Sequence, residues 1–125
     1  MTRVTIVNQH TNNYGDDIAG AALLNGVAAL LNPSQIDIFY IWQRDNPGLP
    51  IDNPICTHHC LQVLSGRTDA RAVLARHTLS FALTRRITHP ELRELVSTCR
   101  DSDTIFVAPP ARTLASIETG CTCLS

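Results

Sequence analysis

The opening of the chain constrains its fold most, because two short runs rich in β-branched and aromatic residues bracket a single helix. Residues 2–8 (TRVTIVN) and 35–42 (QIDIFYIW) have the composition of buried strands. Between them, residues 9–17 (QHTNNYGDD) crowd together Asn, Gly and Asp, which tolerate left-handed turns and cap helices. Residues 18–31 (IAGAALLNGVAALL) then carry small and apolar side chains around most of a helix, as expected when it lies against a sheet. Asn32-Pro33 ends that helix, since the residue before proline is pushed out of the helical region. In the second run Ile36, Ile38, Tyr40 and Trp42 fall on one face and Asp37, Phe39 and Ile41 on the other. A helical crossover between the strands makes them parallel and the crossover right-handed. The predicted fold class is α/β, with a small open parallel sheet of three or four strands and helices on its faces.

The rest of the chain continues the pattern. Residues 44–57 hold three prolines, two asparagines and a glycine and read as a long loop, while 55–64 can add a short strand. Thr68 is placed to cap a helix over 69–86, in which Ala72, Val73, Ala75, Leu79 and Leu83 recur at helical spacing and Arg85 and Arg86 suit the C-terminal end. Thr88, Pro90 and Glu91 have the spacing of a capping box opening a helix that runs to about Arg100. Asp101-Ser102-Asp103 reads as a turn, and residues 104–108 (TIFVA) as a buried strand stopped by Pro109-Pro110. The predicted organisation is one α/β lobe over 1–110 and an irregular tail over 111–125.

Length and composition bound the function. At 125 residues and 13.7 kDa there is room for one domain of ordinary size, and 44% apolar residues suffice for a core. A formal charge of −1 lacks the one-sided basic balance on which electrostatic nucleic-acid binding depends. All ten basic residues are arginine, which excludes a Schiff-base lysine in this chain. Cys56, Cys60, Cys99, Cys121 and Cys123 form an odd set unlike a secreted disulfide framework, so reduced thiols and a cytoplasmic location are expected. The N-terminus has no signal-peptide core, and the apolar stretch over 18–31, broken by Asn25, falls short of the ~20 residues needed to cross a bilayer.

The segment from His10 to Asp17 carries the most information about function. In an open parallel sheet the carboxyl ends of the strands border the ligand crevice, and helix N-termini there offer unpaired N–H groups. Gly15 permits a tight turn and Asp16 or Asp17 can cap the helix, but neither role accounts for His10, Asn12 and Asn13. Ile6-Val7-Asn8, the run His10-Thr11-Asn12-Asn13-Tyr14-Gly15-Asp16, and the small-residue helix opening Ile18-Ala19-Gly20-Ala21-Ala22-Leu23 together resemble the N-terminal opening of the polysaccharide pyruvyl transferase family, with Asn13-x-Gly15-Asp16 as the shared core. Cys99-Arg100-Asp101-Ser102-Asp103-Thr104-Ile105-Phe106-Val107-Ala108-Pro109 resembles the family segment in which a helix, an aspartate and a buried strand lead to a glycine-rich loop. The sequence departs from the family where Pro109-Pro110-Ala111 replaces a Pro-Gly-Gly type turn.

The resemblance implies two Rossmann-like lobes with a cleft between them, and transfer of a pyruvyl group from phosphoenolpyruvate to a sugar, forming a ketal in polysaccharide biosynthesis. It assigns substrate binding to His10, Asn12, Asn13, Gly15 and Asp16, implies no cofactor, and puts the donor-gripping residues mainly in a second lobe. This chain corresponds to the N-terminal lobe or to a truncated homologue. It is expected to be inactive alone and to meet a sugar or phosphoenolpyruvate-type molecule once a second lobe is supplied. The competing expectation is a non-catalytic module that binds a small anion or nucleotide and works as an oligomer. A third is an incomplete reading frame whose open sheet edge drives association. Open edges, and apolar surface near Val107, Leu114 and Ile117, predict a homo-oligomer or partner subunit rather than a stable monomer.

Other chemistry-bearing residues have plainer explanations. Cys56-Thr57-His58-His59-Cys60 and Cys121-Thr122-Cys123 supply soft ligands but no Cys-x-x-Cys knuckle, so packing cysteines are expected rather than a zinc site. His58 or His59 as a base for Cys56 lacks an orienting third group, and His77 is expected at the surface. Arg85, Arg86, Arg93 and Arg100 form either an anion-binding face or a solvated one, the latter being the default. Tyr40 and Trp42 are expected to pack under the first helix, with Trp42 near the crevice.

Overall fold

The computed structural model describes residues 1–10, 14–41, 53–64 and 69–108. The elements run β1 (Arg3–Gln9), α1 (Tyr14–Leu31), β2 (Gln35–Tyr40), β3 (Cys56–Cys60), a 3-10 turn (Gln62–Leu64), α2 (Ala70–Thr84), α3 (Pro90–Arg100) and β4 (Thr104–Val107). The four strands form one sheet in the order β3-β2-β1-β4, and every neighbouring pair is parallel. This is the open α/β sheet that the strand, helix, strand opening predicts. Trp42, Thr68 and the segment from Pro109 to Ser125 lie outside the described residues.

The alternation of strand side chains divides the core between the two faces. Val4 and Ile6 of β1, with Ile36, Ile38 and Tyr40 of β2, pack against Leu24 and Val27 of α1. Phe39 of β2 turns the other way and joins Leu61, with Val7 and Leu95 of α3 beside it. Helices therefore cover both faces, and β2 is buried throughout from Ile36 to Tyr40. On α1 the buried residues Asp17, Gly20, Leu24 and Val27 form one stripe toward the sheet.

Beyond β2, three expectations change. The Thr88 capping box does not form: His89 occupies the N-cap of α3, and Glu91 accepts the Val63 backbone N–H at 2.8 Å instead of folding back on its own helix. A tertiary donor in the 3-10 turn thus takes the carboxylate. His77 is half-buried, edge-on to His89 with ring centroids 5.6 Å apart. On α2, Ala72, Ala75, Leu79 and Leu83 are exposed rather than forming a buried stripe. Leu74, His77, Thr78 and Phe81 instead line an open groove shared with Leu92, Leu95 and Val96 of α3.

Edge strand β4 is anchored at its start. Ser102 Oγ and Thr5 Oγ1 share a hydrogen bond of 2.5 Å, and the Arg3 backbone N–H donates to Asp103 Oδ2 at 2.8 Å. Farther along β4, Val107 remains 67% exposed and Ile105 47% exposed. Val107, expected within an apolar surface, is thus exposed, whereas Leu114 and Ile117 fall outside the described residues.

Candidate functional site

The carboxyl end of β1 does not continue as a regular strand. Ile6 pairs with Ile38 and Gln9 with Tyr40, so Val7 and Asn8 together oppose Phe39 alone. This is a bulge, and Asn8 absorbs it with φ of 63°, a left-handed conformation that asparagine tolerates better than most residues. The Asn8 side-chain amide donates to the Ala108 carbonyl at 2.9 Å, and the Ala108 N–H donates to the Val7 carbonyl at 2.9 Å. The ends of β1 and β4 are thereby tied together.

The bulge also re-aims Gln9. Strict alternation would put it on the face of Val7, but the extra residue turns it to the side of Tyr40, beneath α1. There Gln9 is buried, and its Nε2 donates to the His10 carbonyl at 2.7 Å and to the Asp16 carbonyl at 3.2 Å. One side chain thus clamps both ends of the turn between β1 and α1. A Cβ at position 20 would overlap the Gln9 amide, so a larger residue there must displace that amide from its bonds to the His10 and Asp16 carbonyls.

His10, Gly15 and Asp16 are gathered at this end of the sheet, whereas Asn12 and Asn13 lie outside the described residues. α1 begins at Tyr14, with Asp16 and Asp17 in its first turn; Asp16 is half-buried and Asp17 buried. The strand order reverses at β1, since β2 follows on one side and β4 returns on the other. That switch point is where open α/β sheets leave a crevice at the carboxyl ends of their strands. Two carboxylates at the positive end of α1 complement its dipole. Asp17 turns toward the sheet and Asp16 stands half-buried at the surface of the turn, and their charge opposes a bare anion. Asn8 and Gln9, which shape the turn, are missed by the motif reading. The signals for them were an asparagine ending a strand and a glycine one helical turn past Asp16.

A second polar cluster lies on the α3 face, and the sequence reading missed it as well. The buried Asp37 carboxylate accepts from Gln35 Nε2 at 3.0 and 3.2 Å and meets His59 Nε2 at 3.0 Å, with Arg3 Nη2 at 3.6 Å. His59 stacks on Phe39 with centroids 4.4 Å apart, and its Nδ1 faces Glu94 of α3 at 3.2 Å. Both ring nitrogens are thus engaged by carboxylates, which leaves neither for a substrate proton. The cluster fastens α3 to the sheet. Its signal was a single aspartate inside an otherwise apolar strand.

Cys56, His58 and Cys60 point to the opposite face, so His59 is not a base for Cys56. His58 Nδ1 lies 3.0 Å from the Tyr40 hydroxyl. Burial first, and then the Asp37 carboxylate, push the Cys56 thiol above its ordinary pKa. Among the described residues no group of three or more His, Cys, Asp or Glu side chains could hold a metal ion.

The class defined by this architecture is a small Rossmann-like α/β sheet with its switch point between β1 and β4. In comparison with known proteins, no family model, no curated protein and no solved structure matches the chain. Among the described residues no helix is long and apolar enough to cross a membrane.

Proposed function

We propose that this chain is the N-terminal lobe, or a truncated homologue, of a polysaccharide pyruvyl transferase-like protein, and that its β1–α1 turn faces a sugar. One observation carries the reading: His10 on one flank of the β1–α1 connection, and Gly15 and half-buried Asp16 on the other, lie at the switch point of the sheet. Sugar hydroxyls are hydrogen-bond donors, and carboxylates accept from them strongly. A phosphate or nucleotide module working as an oligomer is the weaker reading, because the same carboxylates repel an anion at the helix N-terminus. The chain alone should not transfer pyruvate from phosphoenolpyruvate. One wall of a cleft neither fixes both reactants nor excludes water.

Titration of the isotope-labelled protein with neutral pyranoses, followed by backbone amide NMR, tests the assignment. Shifts are expected at Asn8, Gln9, His10 and Gly15, and they should weaken in Asp16→Asn. Shifts confined to other elements, or a response at this turn to inorganic phosphate and none to sugars, would overturn the sugar reading. Ketal formation by the purified chain, abolished by Asp16→Asn, would show that the catalytic site is complete here.

A further inference from the structure

Away from the β1–α1 turn, α2 and α3 border an open groove of about 280 Å³. Leu74, His77 and Phe81 line it from α2, Ile87 from the connection, and Leu92 and Val96 from α3. The α2 residues follow helical spacing, so they form one continuous wall. Leu74, Phe81 and Val96 are exposed at the rim, and Leu79 and Leu83 extend the apolar surface around α2, with Leu83 77% exposed. This surface is wider than the groove and more than a small ligand filling the groove would cover. Apolar surface of this kind marks protein contacts.

The segment that carries the α2 wall is cationic: residues 70–90 contain Arg71, Arg76, Arg85 and Arg86 and no Asp or Glu, and Arg85 and Arg86 directly precede the lining residue Ile87. Arg93 Nε and Nη2 donate to the Ile87 carbonyl at 3.2 and 3.1 Å, which holds a guanidinium at the end of the groove beside a lining residue. The nearest carboxylates on α3 are occupied elsewhere: Glu91 accepts from Val63, and Glu94 faces His59. Leu79 and Leu83 lie on a different side of α2 from the groove, so the apolar surface wraps the helix instead of forming the flat stripe with a polar back that suits a bilayer surface. A groove with a cationic border fits an amphipathic helix laid into it by its apolar face.

We propose that the α2–α3 groove is a docking site for an acidic amphipathic helix of a partner protein, with apolar anchors entering between Phe81 and Val96 and carboxylates meeting Arg85, Arg86 and Arg93. The attraction steers association and gives it a salt dependence, while the anchors supply most of the affinity.

Fluorescence anisotropy of the full chain tests this with a labelled synthetic helix of about four turns, bearing Leu and Phe at i, i+3, i+4 and i+7 and Glu elsewhere. The comparison probes are the same peptide with Lys for Glu, and vesicles of phosphatidylglycerol. The acidic peptide should bind saturably and weaken as salt is raised. Phe81→Asp should reduce binding at least about tenfold, as loss of a central anchor does. Arg85→Gln combined with Arg86→Gln should weaken binding several-fold and flatten its salt dependence. That pair alters only exposed side chains, so it serves even where Phe81→Asp unfolds the protein. Absence of saturable binding, or equal binding of the Lys peptide, would overturn the proposal. Vesicle binding without peptide binding would assign the surface to a membrane. Self-association abolished by the same variants, without peptide binding, would assign it to a second copy of the chain.

Discussion

Gly20→Ala sets two effects of known size against each other and so tests how the β1–α1 turn is held. Alanine inside a helix is favoured over glycine by about 1 kcal/mol. A Cβ at position 20, however, overlaps the buried Gln9 amide, which must move and release its bonds to the His10 and Asp16 carbonyls. Each such bond contributes about 1 kcal/mol net. The sum is a destabilisation of about 1 kcal/mol after the propensity gain. Gly26 is the internal control, because a Cβ there meets no heavy atom within 4 Å. Gly26→Ala should stabilise by up to about 1 kcal/mol, so the two alanine variants should differ by about 2 kcal/mol. Urea unfolding followed by far-UV circular dichroism reads the difference. In a Gln9→Ala background the obstruction is gone, and Gly20→Ala should become stabilising, a coupling that a double-mutant cycle isolates. Equal stabilisation by Gly20→Ala and Gly26→Ala in the unaltered chain would refute the clamp.

Three further outcomes follow from the same contacts. Asp37→Asn should destabilise the fold by about 2–4 kcal/mol in urea unfolding, since it removes the charge that His59 and Arg3 face at a buried position; little or no loss would mean that the cluster does not fasten α3. Asn8→Ala should cost about 2–3 kcal/mol through the lost bond to Ala108 and the left-handed φ, whereas Asn8→Gly should recover the conformational part; equal costs would place the whole effect in the hydrogen bond. The raised Cys56 pKa means that the folded thiol keeps its proton where the unfolded thiol has lost it. Stability should be fully present below the unfolded thiol pKa of about 8.5 and decline as pH rises through the folded value; Cys56 alkylation, resolved by mass spectrometry, should be slower in the folded protein at pH near 8 and faster in Asp37→Asn.

The sequence by itself determined the order and type of the main elements, because each is written in local chemistry. The strand runs, the polar turn, the Asn32-Pro33 stop and Pro90 at the start of α3 all act within a few residues, and the parallel sheet follows from a helical crossover between strands. It also put His10 at the carboxyl end of β1 and Gly15 and Asp16 at the start of α1. Only the tertiary structure decided which way Gln9 points, since a bulge between Val7 and Asn8 breaks the two-residue period that any strand reading assumes. It likewise diverted Glu91 from its own helix to Val63 and joined Asp37, His59 and Glu94 across three elements. The helical spacing on α2 was legible as a helix, but not the side it would bury. Only the tertiary structure sets Leu74, His77 and Phe81 beside α3, along the groove the two helices share. Such contacts depend on where distant segments meet, and no short-range pattern along the chain records that.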